Sequence, residues 1–180
     1  RQTFRRTPEC FFPMLDHPVT LTVSGLLGGH SGDDIGSGRA NAAQLLLWLL
    51  QSLETPYELA GIDAGTQHNA IPSCGSAHIV MDARDLDAVT ALVAQFQQDA
   101  RAMYPADPGI TVTITPAEMP AMVLTVDERD DLLTADGQAG EIDRAGKCEV
   151  LHRAVLAAEE HQRAVGQHHA DGEGDEALRK

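Results

Sequence analysis

The chain has 180 residues, 43% of them hydrophobic, which is enough to bury the core of one domain of ordinary size. Its 27 acidic and 13 basic residues give a formal charge of −14, which argues against a nucleic-acid-binding surface because such a charge repels phosphates. No apolar run approaches the roughly 20 residues of a membrane-spanning helix, so we expect no membrane segment.

The first half of the chain predicts three strands and one helix. Val19–Val23 alternates apolar and polar residues, which is typical of a strand with one buried face. Arg39–Leu53 predicts a largely buried helix, and Tyr57–Ala64 and Gly75–Asp82 predict two further strands on either side of a proline turn. Three residues are candidates to cap the start of the helix: Asp33, Asp34 and Ser37.

The next segment predicts a second helix and a fourth strand. Apolar residues recur with helical spacing from Leu86 to Met103, and Asp85 is the expected N-cap. Ile110–Ile114 alternates like the first strand. The order β-α-β-β-α-β predicts an α+β fold, a ferredoxin-like sandwich with a four-stranded antiparallel sheet and two helices on one face.

The ends of the chain differ in character from this unit. The chain does not begin with methionine, so we expect a fragment or a processed product. Beyond Thr134 acidic residues predominate, with an alanine-rich helix predicted over Glu141–Val165 and a solvated end. The three cysteines, at positions 10, 74 and 148, are far apart and form no C-x-x-C pair, which fits a reducing cytoplasm.

Two short motifs carry the chemical information. Residues 25–35 read Gly-Leu-Leu-Gly-Gly-His-Ser-Gly-Asp-Asp-Ile and place His30 in a glycine-rich loop between a strand and a helix. Residues 69–72 read Asn-Ala-Ile-Pro and follow Gly65 and Thr66. A lone loop histidine is usually a solvated surface residue, so His30 gains weight only from the presence of both motifs.

Both motifs in this order, with Gly-Arg-Ala-Asn-Ala at residues 38–42, resemble the aminoacyl-histidine dipeptidases, also called cytosol non-specific dipeptidases. These enzymes belong to the di-zinc exopeptidase superfamily. The resemblance covers about residues 19–133 and implies a lid or dimerisation domain inserted into a larger catalytic domain. It therefore implies a remnant of the preceding domain or linker over residues 1–18, the lid domain over 19–118, and a linker and acidic tail over 119–180.

The resemblance also implies roles for two residues. His30 is expected as the catalytic lid histidine that stabilises the oxyanion, commonly in the partner subunit's active site. Asn69 is expected to bind the dipeptide substrate, although an asparagine before a proline turn often only caps its own backbone. Hydrolysis is expected to depend on two zinc ions, which polarise the peptide carbonyl and deliver hydroxide.

No residue of this segment is expected to bind zinc. His169 and Asp171 form a His-x-Asp pair but lie in the acidic tail, where the fixed geometry of a zinc site is not expected. The segment alone is therefore expected to be inactive. A homodimer is expected, through an edge strand of the sheet or through the helix predicted over Arg39–Leu53.

Two alternatives remain open from the sequence. The first is a non-catalytic ferredoxin-like module for pairing or ligand binding, because the fold alone does not fix the function. The second is a non-functional truncated or frame-shifted product, because the family resemblance stops where the composition changes.

Overall fold

The computed structural model describes residues 8–30, 34, 37–65 and 70–138, and the helix predicted over Glu141–Val165 lies outside them. The strands of the described residues are β1 (Cys10–Phe11), β2 (His17–Ser24), β3 (Gly29–His30), β4 (Tyr57–Ala64), β5 (Ala70–Ile71), β6 (Gly75–Met81), β7 (Thr111–Pro116) and β8 (Val123–Leu124). The helices are α1 (Ala42–Gln51), α2 (Leu86–Met103) and α3 (Val126–Gln138).

The main sheet has four strands in the order β4-β6-β2-β7, and every neighbouring pair is antiparallel. If the four strands are numbered by their order along the chain, the sheet reads 4-1-3-2 from β7 to β4. Helices α1 and α2 form the two crossover connections. The predicted ferredoxin-like sandwich is confirmed.

One apolar core lies between the sheet and its helices. Alternate residues of β2, namely Val19, Leu21 and Val23, face this core together with residues of α1 and α2. Seven of the ten residues of α1 are buried, because α1 contacts the sheet on one side and α3 on another. The burial of α1 within its own domain favours a core role for this helix over a dimer interface.

The sequence predicted the bounds of α2 correctly but placed the ends of α1 imperfectly. α1 begins at Ala42 rather than Arg39, and its cap is Asn41, whose side chain accepts hydrogen bonds from the backbone of Ala43 and Gln44. Before α2, Asp82 caps a short 3-10 turn, while Asp85 makes no side-chain capping hydrogen bond. Asp34 and Ser37 therefore do not cap α1, and Asp33 lies outside the described residues. Asp85 takes the predicted N-cap position of α2, but without a capping side-chain hydrogen bond.

A third helix and a two-stranded sheet extend the sandwich. β8 pairs with β1, and the Thr125 amide donates to the Glu9 carbonyl at 3.0 Å. After it, α3 packs on α1, and the Gln51 side chain donates to the Leu133 carbonyl at 2.6 Å. The sequence did not predict α3.

Two side chains of α2 bond to the backbone at and just before the outer edge of β7. The Val112 amide donates to the Gln97 side chain at 2.8 Å, and the Arg101 guanidinium donates to the Ile110 carbonyl at 2.7 Å. The backbone N–H and C=O groups of successive residues point to opposite sides of a strand. The backbone groups of Val112, Ile114 and Pro116 therefore point away from β2, and proline has no N–H. Ile114 therefore carries the one outward-facing N–H of β7 that lacks a covering side chain among the described residues.

His78 is a half-buried side chain on the opposite face of the sheet. It lies on β6 between Ala77 and Ile79, which face the core, and opposite Thr20 and Gly61 on the neighbouring strands. Its Nε2 atom is buried without a hydrogen-bond partner among the described residues. Burial lowers the pKa of His78 from 6.5, opposed by a hydrogen bond to the Glu118 backbone.

This burial predicts a pH dependence of stability. Below pH 6.5 the unfolded chain protonates His78 more readily than the folded chain does, so the free energy of unfolding should fall as the pH falls. Above that pH His78 is neutral in both the folded and the unfolded chain, so its protonation no longer changes the free energy of unfolding. Urea unfolding of the wild type and of His78→Gln between about pH 7.5 and pH 5 measures the effect as the difference between the two slopes of stability against pH.

His17→Gln is the matched control, because His17 lies on the same sheet and the substitution leaves His78 in place. The control should keep the wild-type slope, whereas His78→Gln should flatten it. Equal slopes for the wild type and His78→Gln would contradict the prediction.

Candidate functional site

The loop that carries His30 leaves the sheet at a close contact between two glycines. Gly25 follows β2 with φ of +78°, a conformation that residues with a side chain rarely adopt. A Cβ atom on Gly25 would collide with the backbone carbonyl of Gly109, and a Cβ on Gly109 would approach the Gly25 carbonyl. The loop therefore crosses the α2–β7 turn backbone to backbone.

Asp107 of that turn holds two points of the loop. Its side chain is buried, and its two carboxylate oxygens accept hydrogen bonds from the Leu27 amide at 2.6 Å and the Ala40 amide at 2.7 Å. Leu27 lies three residues before His30, and Ala40 lies two residues before α1. Sequence reasoning missed Asp107, because a single aspartate before a Pro-Gly pair gives no signal beyond a turn.

A second set of contacts braces the backbone of His30 itself. Asp34 accepts a hydrogen bond from the His30 amide at 2.9 Å through Oδ2, while its Oδ1 pairs with the Arg39 guanidinium at 3.0 Å. Arg39 also donates to the Gly28 carbonyl at 2.6 Å. A Cβ atom on Gly29, which has φ of +147°, would collide with the side chains of both Arg39 and Asp34. Gly29 thus makes room for this ion pair.

The structure brings the two sequence motifs together. β3 pairs antiparallel with β5, so that Gly29 lies opposite Ile71 and His30 lies opposite Ala70. Backbone hydrogen bonds from Leu26 to Ser73 and from Ala42 to Pro72 add to this pairing. Asn69 directly precedes Ala70 in sequence but lies outside the described residues, so its role stays a prediction.

The side chain of His30 is exposed, while its backbone is fixed on both sides. An imidazole in this setting can donate or accept a hydrogen bond with a group outside its own domain. Cys10 offers no comparable chemistry, because burial, together with the charge of Glu128, raises the pKa of its thiol and disfavours the nucleophilic thiolate. The catalytic role expected of His30 stays a prediction.

The described residues do not form a metal site. No group of three or more histidine, cysteine, aspartate or glutamate side chains within them lies close enough to hold an ion. His169 and Asp171 lie outside the described residues. The described part of the chain thus offers no set of side chains that fits a zinc ion. Within the same residues no helix is both long and apolar enough to cross a membrane.

Three comparisons with known proteins agree with this geometry. Residues 21–108 match the model of the peptidase dimerisation domain of the M20 peptidases. Over 80 residues the chain is 40% identical to the cytosol non-specific dipeptidase of Escherichia coli (strain K12), an alignment that covers 43% of this chain and 16% of that protein. The fold is similar to that of aminoacylhistidine dipeptidase from Vibrio alginolyticus, with a TM-score of 0.64 and 24% identity.

The structural match covers 70% of this chain and 28% of the Vibrio alginolyticus enzyme. The chain thus spans a small part of the length of these relatives. The resemblance to aminoacyl-histidine dipeptidases, which the two motifs predicted, is confirmed by the family match and by the sequence identity. Residues 21–108 of this chain match the peptidase dimerisation domain of the M20 peptidases.

Proposed function

We propose that this chain is the lid and dimerisation segment of a zinc-dependent cytoplasmic dipeptidase that hydrolyses unblocked dipeptides, including Xaa-His. The observation that carries the proposal is the exposed His30 on a loop braced by Asp34, opposite the segment that follows Asn69. A surface histidine without a functional role would not require such a braced backbone. The family match and the named relatives support the reaction class.

In this proposal His30 donates a hydrogen bond to the substrate carbonyl oxygen as negative charge develops on it. A donor held in advance at that position stabilises the transition state, because no reorganisation is needed when the charge appears. Asn69 binds the substrate beside it through its side-chain amide. The zinc ligands and the base that activates water are supplied outside the described residues, and zinc polarises the carbonyl when bound.

The proposal includes a homodimer, in which His30 reaches the active site of the partner subunit. A loop histidine with an exposed side chain suits a reaction centre on another chain or domain.

The pairing of β1 with β8, which brings Glu9 beside Thr125, supports an inserted domain, because an insertion enters and leaves its host at neighbouring points.

The purified 180-residue chain should form a dimer and should not hydrolyse dipeptides. Light scattering at tens of micromolar is expected to give twice the chain mass of 19.3 kDa. Incubation with β-alanyl-histidine and zinc is expected to release no histidine, since the described residues gather no metal site. Light scattering tests the homodimer, and the hydrolysis assay tests separately whether the metal centre lies on another domain.

Either part can fail on its own. A monomer mass over the whole concentration range would contradict the homodimer. Zinc-stimulated release of histidine by the pure chain would contradict the assignment of the metal centre to another domain. A stable dimer that binds a small ligand away from His30 would favour the non-catalytic module instead.

A further inference from the structure

Asp107 is a buried charged side chain that the proposed chemistry does not use. Each of its two oxygens accepts one short hydrogen bond, from the Leu27 amide at 2.6 Å and from the Ala40 amide at 2.7 Å. No solvent reaches the residue, and a buried carboxylate is tolerated only when donors satisfy it.

The two amides require a carboxylate rather than another polar group. Both atoms that face them must accept, and an ionised aspartate offers two acceptor oxygens, whereas asparagine offers one acceptor and one donor. Ala40 lies two residues before α1, on the N-terminal side of the helix, where the helix dipole favours a negative charge. The substitution Asp107→Asn would leave one of the two amides facing an N–H group.

The two bonded amides lie on either side of the loop that carries His30. On one side, Leu27 leads directly into Gly28 and β3. On the other side, Ala40 follows Arg39, which itself contacts the Gly28 carbonyl and Asp34. The Asp107 side chain therefore fixes the distance between the two stems of the loop that carries His30, which are the backbone at Leu27 and the backbone at Ala40.

We propose that Asp107 is a positioning residue for His30: it sets the place of the imidazole by holding both stems of the loop, without touching substrate. This inference rests on the proposed catalytic role of His30. It gives the α2–β7 turn, which lies outside both family motifs, a part in catalysis.

The test is a double-mutant cycle in the complete dipeptidase that carries this segment. Asp107→Asn, which keeps the side-chain volume, is expected to lower kcat about tenfold or more with KM changed less than about twofold. In a His30→Ala background the same substitution should lower kcat no further. The matched control is Val93→Ala, which removes buried volume from α2 away from the loop and should leave kcat unchanged.

The cycle separates a positioning role from a purely structural one. An equal loss of kcat with and without His30, or the same loss in Val93→Ala, would overturn the inference. A His30→Ala variant with wild-type kcat would instead overturn the proposed function, whatever Asp107→Asn does.

A measurement on the wild-type chain keeps the inference testable if Asp107→Asn fails to fold. Hydrogen exchange of the Leu27 and Ala40 amides is expected to be as slow as that of core amides in β2, because both are bonded to a buried acceptor. Exchange at the rate of exposed loop amides would show that the clamp does not persist in solution and would overturn the inference.

Discussion

His30→Ala in the complete dipeptidase should lower kcat by about 10²–10³-fold, the loss expected when one oxyanion donor is removed. KM should change little, because the hydrogen bond forms mainly to the charge that develops in the transition state. Steady-state kinetics with an Xaa-His dipeptide measures both constants. The large effect follows from a braced backbone, since an imidazole on a loose loop would contribute much less.

Two further variants make this result specific. His17→Ala removes a histidine at the opposite end of β2 from the loop and should retain wild-type kcat. His30→Gln keeps a side-chain N–H donor and should retain part of the activity that alanine loses. A kcat for His30→Ala within about twofold of the wild type would contradict the catalytic role.

Subunit mixing tests whether His30 acts across the dimer. A His30→Ala subunit combined with a subunit inactivated in its own metal centre should recover activity, because the mixed dimer holds one site with both functional parts. Homodimers of either variant should stay inactive. Failure to recover activity in verified mixed dimers would place His30 in the active site of its own subunit.

Gly25→Ala should lower the free energy of unfolding by about 2–5 kcal/mol, a large share of the stability of a small domain. About 1–2 kcal/mol of this comes from the positive φ of Gly25, and about 1–3 kcal/mol from the collision of the new Cβ with the Gly109 carbonyl. Urea unfolding of the wild type and the variant gives the difference.

Gly38→Ala separates these two contributions. Gly38 has a similar φ of +71°, but a Cβ placed on it meets no atom of the described residues within 4 Å. This control should therefore lose only about 1–2 kcal/mol, the effect of the backbone conformation alone. Equal losses in the two variants would mean that the loop and the α2–β7 turn separate easily, against the close contact described above.

The elements that the sequence predicted correctly are those with a strong local pattern. The alternation of Val19–Val23 and the helical spacing from Leu86 to Met103 report which face of each element is buried, and both agree with the core. The β-α-β-β-α-β order then left few topologies, because connections in small sheets are short and regular. The catalytic role that the motif at residues 25–35 predicts for His30 stays a prediction.

The features that the sequence missed depend on contacts between distant segments. α3 has little apolar periodicity, and Leu132 and Leu133 are buried because the helix docks on α1. Arg129 adds to this docking through the Tyr57 carbonyl at 2.9 Å and through the tyrosine ring. Asp107 bonds to residues 80 and 67 positions away along the chain, and no local pattern records such a pairing.

The covered edge of β7 bears on how this domain can behave in a crowded cell. An open strand edge lets any extended chain add itself, which is how many sheet proteins start to aggregate. Here Gln97 occupies the Val112 amide and Pro116 has no N–H, so the Ile114 N–H is the one outward amide that β7 offers to a passing peptide. A correct partner with side-chain contacts of its own can still bind at that edge, which makes association selective for that partner.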